Sequence, residues 1–267
     1  MKLDHESPTA IPLADVQNSL DTRQIPIDRV GVRRVKYPIL VALEDGSTQQ
    51  TLATFTLLVD LPQEYKGTHM SRFLEVLGEQ EGPLNRSVIQ ELLKKLKARL
   101  RSQCARLEVK FQIFAEKAAP VTEKVGYMAY ECGFEAHTDS IDGFHMLLQC
   151  PISTVCPCSK EISDYGAHNQ RGLVSVKVNP TGELGFEQLI QAIEASGSAP
   201  LYPVLKREDE KFVTELAYNN PRFVEDVVRE VAGRFDQIEA IHSYQIEVEN
   251  YESIHDHNAY AFIERTK

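Results

Sequence analysis

The chain has 267 residues, 42% of them hydrophobic and 25% charged, the composition of an ordinary globular protein with room for one large domain or two. A formal charge of −10 argues against nucleic acid held through phosphate contacts, while leaving room for a local basic pocket. No apolar run approaches the ~20 residues of a membrane helix, and the start MKLDHESPTAIPLADVQ lacks a hydrophobic signal core, so a cytoplasmic protein without membrane or nucleic-acid partners is expected.

Residues 1–27 read as an extended arm broken by Pro8, Pro12 and Pro26, with Asp15 to Arg23 either a plain solvated tail or a polar contact segment. From Arg29 a strand pattern begins, VGVRRVKYPILVAL, followed by the turn Glu44 to Ser47 and a second strand, QQTLATFTLLVDL. The Asp-Gly pair in that turn predicts a hairpin. Met70, Phe73, Leu74 and Leu77 then recur at helical spacing. Asn85 or Ser87 can cap a second helix whose apolar face is Val88, Leu92, Leu93, Leu96 and Leu100, with a solvated basic face opposite. Two further strands follow, one alternating over Leu107 to Ala115 and one over Lys124 to Ala136.

The order then repeats. Phe144 to Thr154 and Gly172 to Pro180 read as strands around a polar loop. A helix over LGFEQLIQAIEAS is followed by a less regular piece, Ala199 to Asn220. A second helix begins at Pro221, with Phe223, Val227, Val228, Val231 and Phe235 inward, and two final strands close the chain. The pattern predicts an α+β protein of two antiparallel sheets, each with a helix pair: a first half over 28–137 and a second over 138–267.

The chemistry concentrates in Pro151 to Gly172, PISTVCPCSKEISDYGAHNQRG. Thiol, imidazole, carboxylate and guanidinium groups crowd a stretch too polar to be a core. Cys156 and Cys158 are one residue apart, neither the C-x2-C of a zinc knuckle nor the C-x-x-C of a redox pair. The residues alone leave open a metal site, with one cysteine as ligand and the other reactive, and a plain surface loop. Cys104, Cys132 and Cys150 lie in or beside apolar segments and read as buried thiols. A second cluster, Glu249, Glu252, His255, Asp256 and His257, sits between the last two strands and is either a polar turn or part of the same site. Glu208, Asp209 and Glu210 read as solvated charge. Glu225 lies beside an inward helix face, where it pairs with Arg222 or Arg229 or accepts N–H groups from a bound base.

The segment STVCPCSKEISDYGAHNQRG, with KGTHMSRF upstream and LKREDEKFVTE and NPRFVEDVVR downstream, resembles the type IB GTP cyclohydrolase family from Asp15 almost to the end of the chain. The resemblance implies a tandem tunnelling fold, each half strand-strand-helix-helix-strand-strand, assembled as a homo-oligomer, expected to be a tetramer, whose barrel has active sites between subunits. It implies GTP as substrate, opened at guanine C8 with release of formate and recyclised to 7,8-dihydroneopterin triphosphate for folate or modified-tRNA precursors. By the same resemblance Cys156, Cys158 and His168 are catalytic, and Cys156, His168, Glu210, His255 and Glu252 surround a divalent metal, zinc or manganese with magnesium possible. Glu225 anchors the base, and Lys160, Arg171, Arg207, His69 and Arg72 are candidates for the triphosphate. Two other readings fit the same features: another tunnelling-fold purine or pterin enzyme, such as a cysteine-dependent nitrile reductase, and a non-catalytic oligomer with structural zinc.

Overall fold

Period-two alternation dominates this chain, and strands dominate the fold. The structure, a computed structural model, describes residues 15–140 and 143–267. The first half contains β1 (Ile27–Ala42), β2 (Thr48–Leu61), α1 (Met70–Gly78), α2 (Arg86–Leu100), β3 (Ala105–Ala118) and β4 (Val125–His137). The second contains β5 (Phe144–Val155), α3 (Pro157–Ile162), β6 (Asn169–Pro180), α4 (Phe186–Glu194), α5 (Arg207–Asn219), α6 (Val224–Asp236), β7 (Ile241–Asn250) and β8 (Ala259–Thr266). No helix among the described residues is long and apolar enough to cross a membrane.

All eight strands form one antiparallel sheet in chain order, where two sheets were expected. The joint is β4 with β5, paired from Glu131↔Gln149 to Ala136↔Phe144. Their connection is a few residues long, so the two strands pair as a hairpin and fuse the halves edge to edge. One face of the sheet is covered by helices and carries the main core, including Phe55, Leu57, Leu107, Leu148 and Ile246. The other face is polar, with Lys110, Glu131, Gln149, Gln245 and Glu247 projecting from it, as alternation demands.

The hairpin turns of the first half reach the helices of the second. Glu44 Oε1 accepts from Gln188 N–H at 3.1 Å, and Glu187 Oε1 accepts from Glu44 N–H at 3.2 Å. In the same turn Gly46 adopts φ +80°, the conformation for which an Asp-Gly hairpin needs glycine. Deeper in, Lys117 Nζ lies 2.6 Å from Glu194 Oε1, which also accepts from Tyr130 Oη at 2.7 Å.

Several local expectations are corrected. The irregular piece before Pro221 contains a regular helix, α5, whose polar pattern hid it because only Asp209 and Ala217 are buried. The loop after Cys156 begins with a short helix, α3, so the second half has more than a helix pair. In α1 the buried residues are Phe73, Val76 and Leu77, while Met70 and Leu74 are exposed. In α2 Ile89 replaces Val88 at the centre of the face, and Asn85 is the cap, accepting from Val88 N–H. Pro221 precedes the first turn of α6, whose N-cap is Phe223, itself exposed. Cys132 and Cys150 are buried, but Cys104 is only half-buried. Residues 1–14 of the expected arm lie outside the described residues; Asp15 to Arg23 lie against 62–69, with Leu20 bridged to Tyr65.

Candidate functional site

The site grows out of the end of the β5–β6 ladder. The last pairs are Thr154↔Gln170 and Val155↔Asn169, so Cys156 and His168 stand opposite each other one step beyond. Cys156 N–H donates to His168 O at 3.1 Å. Residues facing each other across an antiparallel pair lie about 5 Å apart and project to the same side. Alternation from buried Ile152 and Thr154 puts that side on the helix-covered face. Pro157 then starts α3, its ring suited to a first helical position. Cys156 is the N-cap and its Sγ accepts from Ser159 N–H at 3.5 Å.

His168 is oriented by a buried relay. Its Nδ1 lies 3.0 Å from Gln170 Oε1, and Gln170 Nε2 donates to Thr154 Oγ1 at 3.0 Å. Gln170 is 9% exposed and Thr154 0%, so neither amide end can turn to water. These contacts engage the Nδ1 side of the ring and fix its orientation through that nitrogen. Ser253 Oγ also approaches Nδ1, at 3.2 Å, and Tyr251 N–H donates to Arg171 O at 2.9 Å. These contacts bring the exposed 251–258 loop, with Glu252, His255 and His257, to the same end of the sheet. His255 and His257 stack within it at 5.1 Å between ring centroids.

Two helices meet this end. Arg222 N–H donates to Val155 O at 3.0 Å, which places the start of α6, and exposed Glu225 in its first turn, beside the end of β5. Arg222, one of the two arginines expected as ion partners of Glu225, pairs with Glu230 at 3.3 Å. From α3, Lys160 Nζ donates to Tyr218 O of α5 at 2.6 Å and sits 4.5 Å from the centre of the Tyr218 ring. Lys160 thus braces two helices within the chain.

One chain therefore brings Cys156, Cys158 and His168 together and sets Arg171, Glu225, Glu252 and His255 around the same end. Arg207 and Glu210 lie exposed at the start of α5. The chain does not bring in the remaining two. His69 and Arg72 follow β2 at the far end of the ladder, where His69 Nε2 lies 3.1 Å from Asp15 Oδ1 and Arg72 Nη1 donates to Arg99 O at 3.2 Å. Strand β5 alone, 12 residues long, separates the two ends by about 40 Å. Among the described residues no group of three or more His, Cys, Asp and Glu side chains gathers at metal-binding separations. The expected five-ligand set is thus not assembled by a single chain. The thiol of Cys156 and Nε2 of His168 are donor types that suit zinc, and both are held by neighbouring hydrogen bonds. A cavity of about 570 Å³ elsewhere, lined by Leu84, Arg86, Phe134, Phe144 and Phe186, contains none of these residues.

Three participants escaped the sequence reading. Gln170 falls on the inward register of β6 with Gly172, Val174 and Val176, so a polar residue there was a detectable sign of a buried hydrogen-bond pair. Asp209 was read as solvated but is fully buried; its place three residues after the N-cap Lys206, where an acid can reach back to the cap N–H, was the available clue. Ser253 carried no signal of its own.

A family model described as type I GTP cyclohydrolase folE2 matches residues 13–261. The chain is 50% identical to GTP cyclohydrolase FolE2 of Fervidobacterium nodosum over 251 residues, covering 93% of this chain and 96% of that one. It is 46% identical to GTP cyclohydrolase FolE2 of Nitrosomonas eutropha over 258 residues, covering 96% and 97%. Among solved structures, a uricase from Bacillus fastidious superposes with a TM-score of 0.56 at 8% identity, covering 89% of this chain and 93% of that one; this likeness concerns the fold alone. With matches spanning nearly the whole chain, site loop included, the protein belongs to the type I GTP cyclohydrolase folE2 family.

Proposed function

We propose that the protein is a GTP cyclohydrolase of type IB, which hydrolyses GTP at guanine C8, releases formate and recyclises the product to 7,8-dihydroneopterin triphosphate, a folate precursor. The observation that carries this reading is the pairing of Cys156 with a His168 whose ring is oriented through Nδ1 by buried Gln170 and Thr154. A divalent metal, zinc or manganese with magnesium as a further candidate, would be held by Cys156 and His168, completed by His255, Glu252 or Glu210. When bound, such an ion makes a water nucleophilic near neutral pH. With Nδ1 of His168 engaged by Gln170, Nε2 is the nitrogen that can face an ion, and a ring oriented in this way supports the ligand role.

Cys158, exposed two residues beyond Cys156, is then the group that moves protons at the opening imidazole ring. Glu225 accepts the N1–H and 2-amino donors of guanine side by side. Arg171, Lys160, Arg207, His69 and Arg72 supply the cations for the triphosphate. The distance between the two ends of the sheet supports an assembly in which subunits close a barrel and one chain's His69 and Arg72 meet another's Cys156, a homo-tetramer being the expected form. The halves 28–137 and 138–267, preceded by the arm, are the two repeats of that tunnelling fold, as the enclosing strand pairs of each suggest. Five unpaired cysteines suit a reducing cytoplasm.

The test is incubation with GTP and zinc, manganese or magnesium in turn, with formate assayed and the product identified by mass spectrometry and by pterin fluorescence after oxidation. Formate and a dihydroneopterin triphosphate are expected. Absence of formate with every ion, or turnover that requires a nicotinamide, refutes the proposal.

A further inference from the structure

Helix α5 is held in an unusual way. It spans 13 residues, yet none of them belongs to the main core. Its apolar contact is a small separate cluster of Val155, Ala199 and Ala217 beneath the Cys156 turn, with Ala167 and Val213 packed against it. Phe212, Leu216 and Tyr218 are exposed. An amphipathic helix normally stays in place by burying an apolar stripe, and this one buries almost none.

What it buries instead is a carboxylate. Asp209 is 0% exposed. Its Oδ1 accepts from Val121 N–H and Thr122 N–H, both at 2.9 Å, and its Oδ2 accepts from Thr122 Oγ1 at 2.6 Å and Lys206 N–H at 2.9 Å. Burial opposes ionisation of this carboxyl, but the Thr122 hydroxyl and the surrounding amides outweigh it and keep the group well below the usual carboxylate range. Val121 and Thr122 belong to the β3–β4 turn, in the first half of the chain. The other end of α5 is tied to the site: Tyr218 O accepts from Lys160, whose N–H donates to Cys156 O at 3.2 Å. Asn220 Nδ2 reaches Gly197 O at 3.0 Å, next to Ser198, whose Oγ accepts from Val155 N–H at 3.0 Å.

We infer that Asp209 is a positioning residue: its four hydrogen bonds pin α5 to the β3–β4 turn and so make α5 a strut that sets the Cys156–Lys160 turn and the exposed side chains of Arg207 and Glu210. The part of this inference that concerns catalysis rests on the proposed function; the mechanical part does not. Because α5 stands outside the main core, losing the pin releases the strut without melting the sheet. Local opening of a segment with few buried contacts is governed by such anchors.

The experiment uses the full-length protein and three variants: Asp209→Ala, Thr122→Val and Thr122→Ser. Hydrogen exchange is followed for residues 207–219, for 156–162 and for β5 and β6, beside kcat and KM for GTP. Asp209→Ala is expected to speed exchange in α5 and the 156–162 turn by about tenfold or more while the strands stay protected, and to lower kcat. Thr122→Val, which removes one donor and no charge, is expected to show the same effects in smaller measure, and Thr122→Ser to restore them. Unchanged exchange in α5, or exchange rising equally in the central strands, overturns the strut. Faster α5 exchange with unaltered kcat and KM overturns its link to catalysis. If the wild-type protein does not turn over GTP, the functional proposal fails, while the exchange data still decide the mechanical claim.

Discussion

Replacing Gln170 by Leu tests the centre of the site with the least change of shape. Leucine keeps most of the side-chain volume but removes both ends of the relay that joins Thr154 Oγ1 to His168 Nδ1. The Thr154 hydroxyl, fully buried, is left without that partner, at a cost of about 1–3 kcal/mol. In domains of ~150–250 residues each kcal/mol moves Tm by about 2–4 °C, so a fall of roughly 2–12 °C is expected. The larger consequence is at His168. With Gln170 gone, only Ser253 Oγ at 3.2 Å remains on Nδ1, and it hangs from an exposed loop that can give or take a proton. Loss of an orienting partner of this kind weakens metal binding by about 10- to 100-fold. Zinc affinity, measured by competition with a fluorescent chelator, should drop by that factor in Gln170→Leu. Gln170→Glu, which keeps an acceptor facing Nδ1, should bind zinc more tightly than the leucine variant although it is less stable than wild type. Wild-type zinc affinity in Gln170→Leu would show that the relay does not serve a metal ligand.

Cys158→Ala should change stability by no more than about 0.5 kcal/mol, because the side chain is exposed, yet abolish GTP turnover; retained turnover would remove Cys158 from the mechanism. A thiol reagent applied to the native protein at mildly alkaline pH should label Cys158 first and reach Cys132 and Cys150 only after unfolding, since burial pushes both of those thiols far above the ordinary range. Mass mapping of the labelled peptides decides it. Tyr244 provides a pH test: burial first, then the Asp236 carboxylate that accepts from its hydroxyl at 2.7 Å, raise its pKa from 10.0 to about 12. A phenol held protonated in the fold contributes stability that is complete below pH 10 and is lost as the pH climbs toward 12. Urea midpoints should therefore fall less steeply over that interval in Tyr244→Phe than in wild type; parallel curves would contradict the assignment.

Sequence alone carried the elements whose signal is local. The alternation of β1 to β8, the Asp-Gly turn at Gly46, the Asn85 cap and the heptad-like face of α2 all follow from contacts between residues a few positions apart. The Cys156-Pro157-Cys158 turn with His168 after it was legible for the same reason, since one hairpin end places them opposite each other. Tertiary structure decided everything that depends on partners distant in the chain. Alternation says which face a strand buries but not which strand lies beside it, so the fusion of two expected sheets into one had to come from the β4–β5 pairing. Charge says nothing about burial when the compensating donors are 87 residues away, as Thr122 is from Asp209, and so a buried anchor passed for a solvated acid. The candidate ligands separated for the same reason: a motif records which residues a family shares, whereas their distance in space is set by register, strand length and the helix each one rides on.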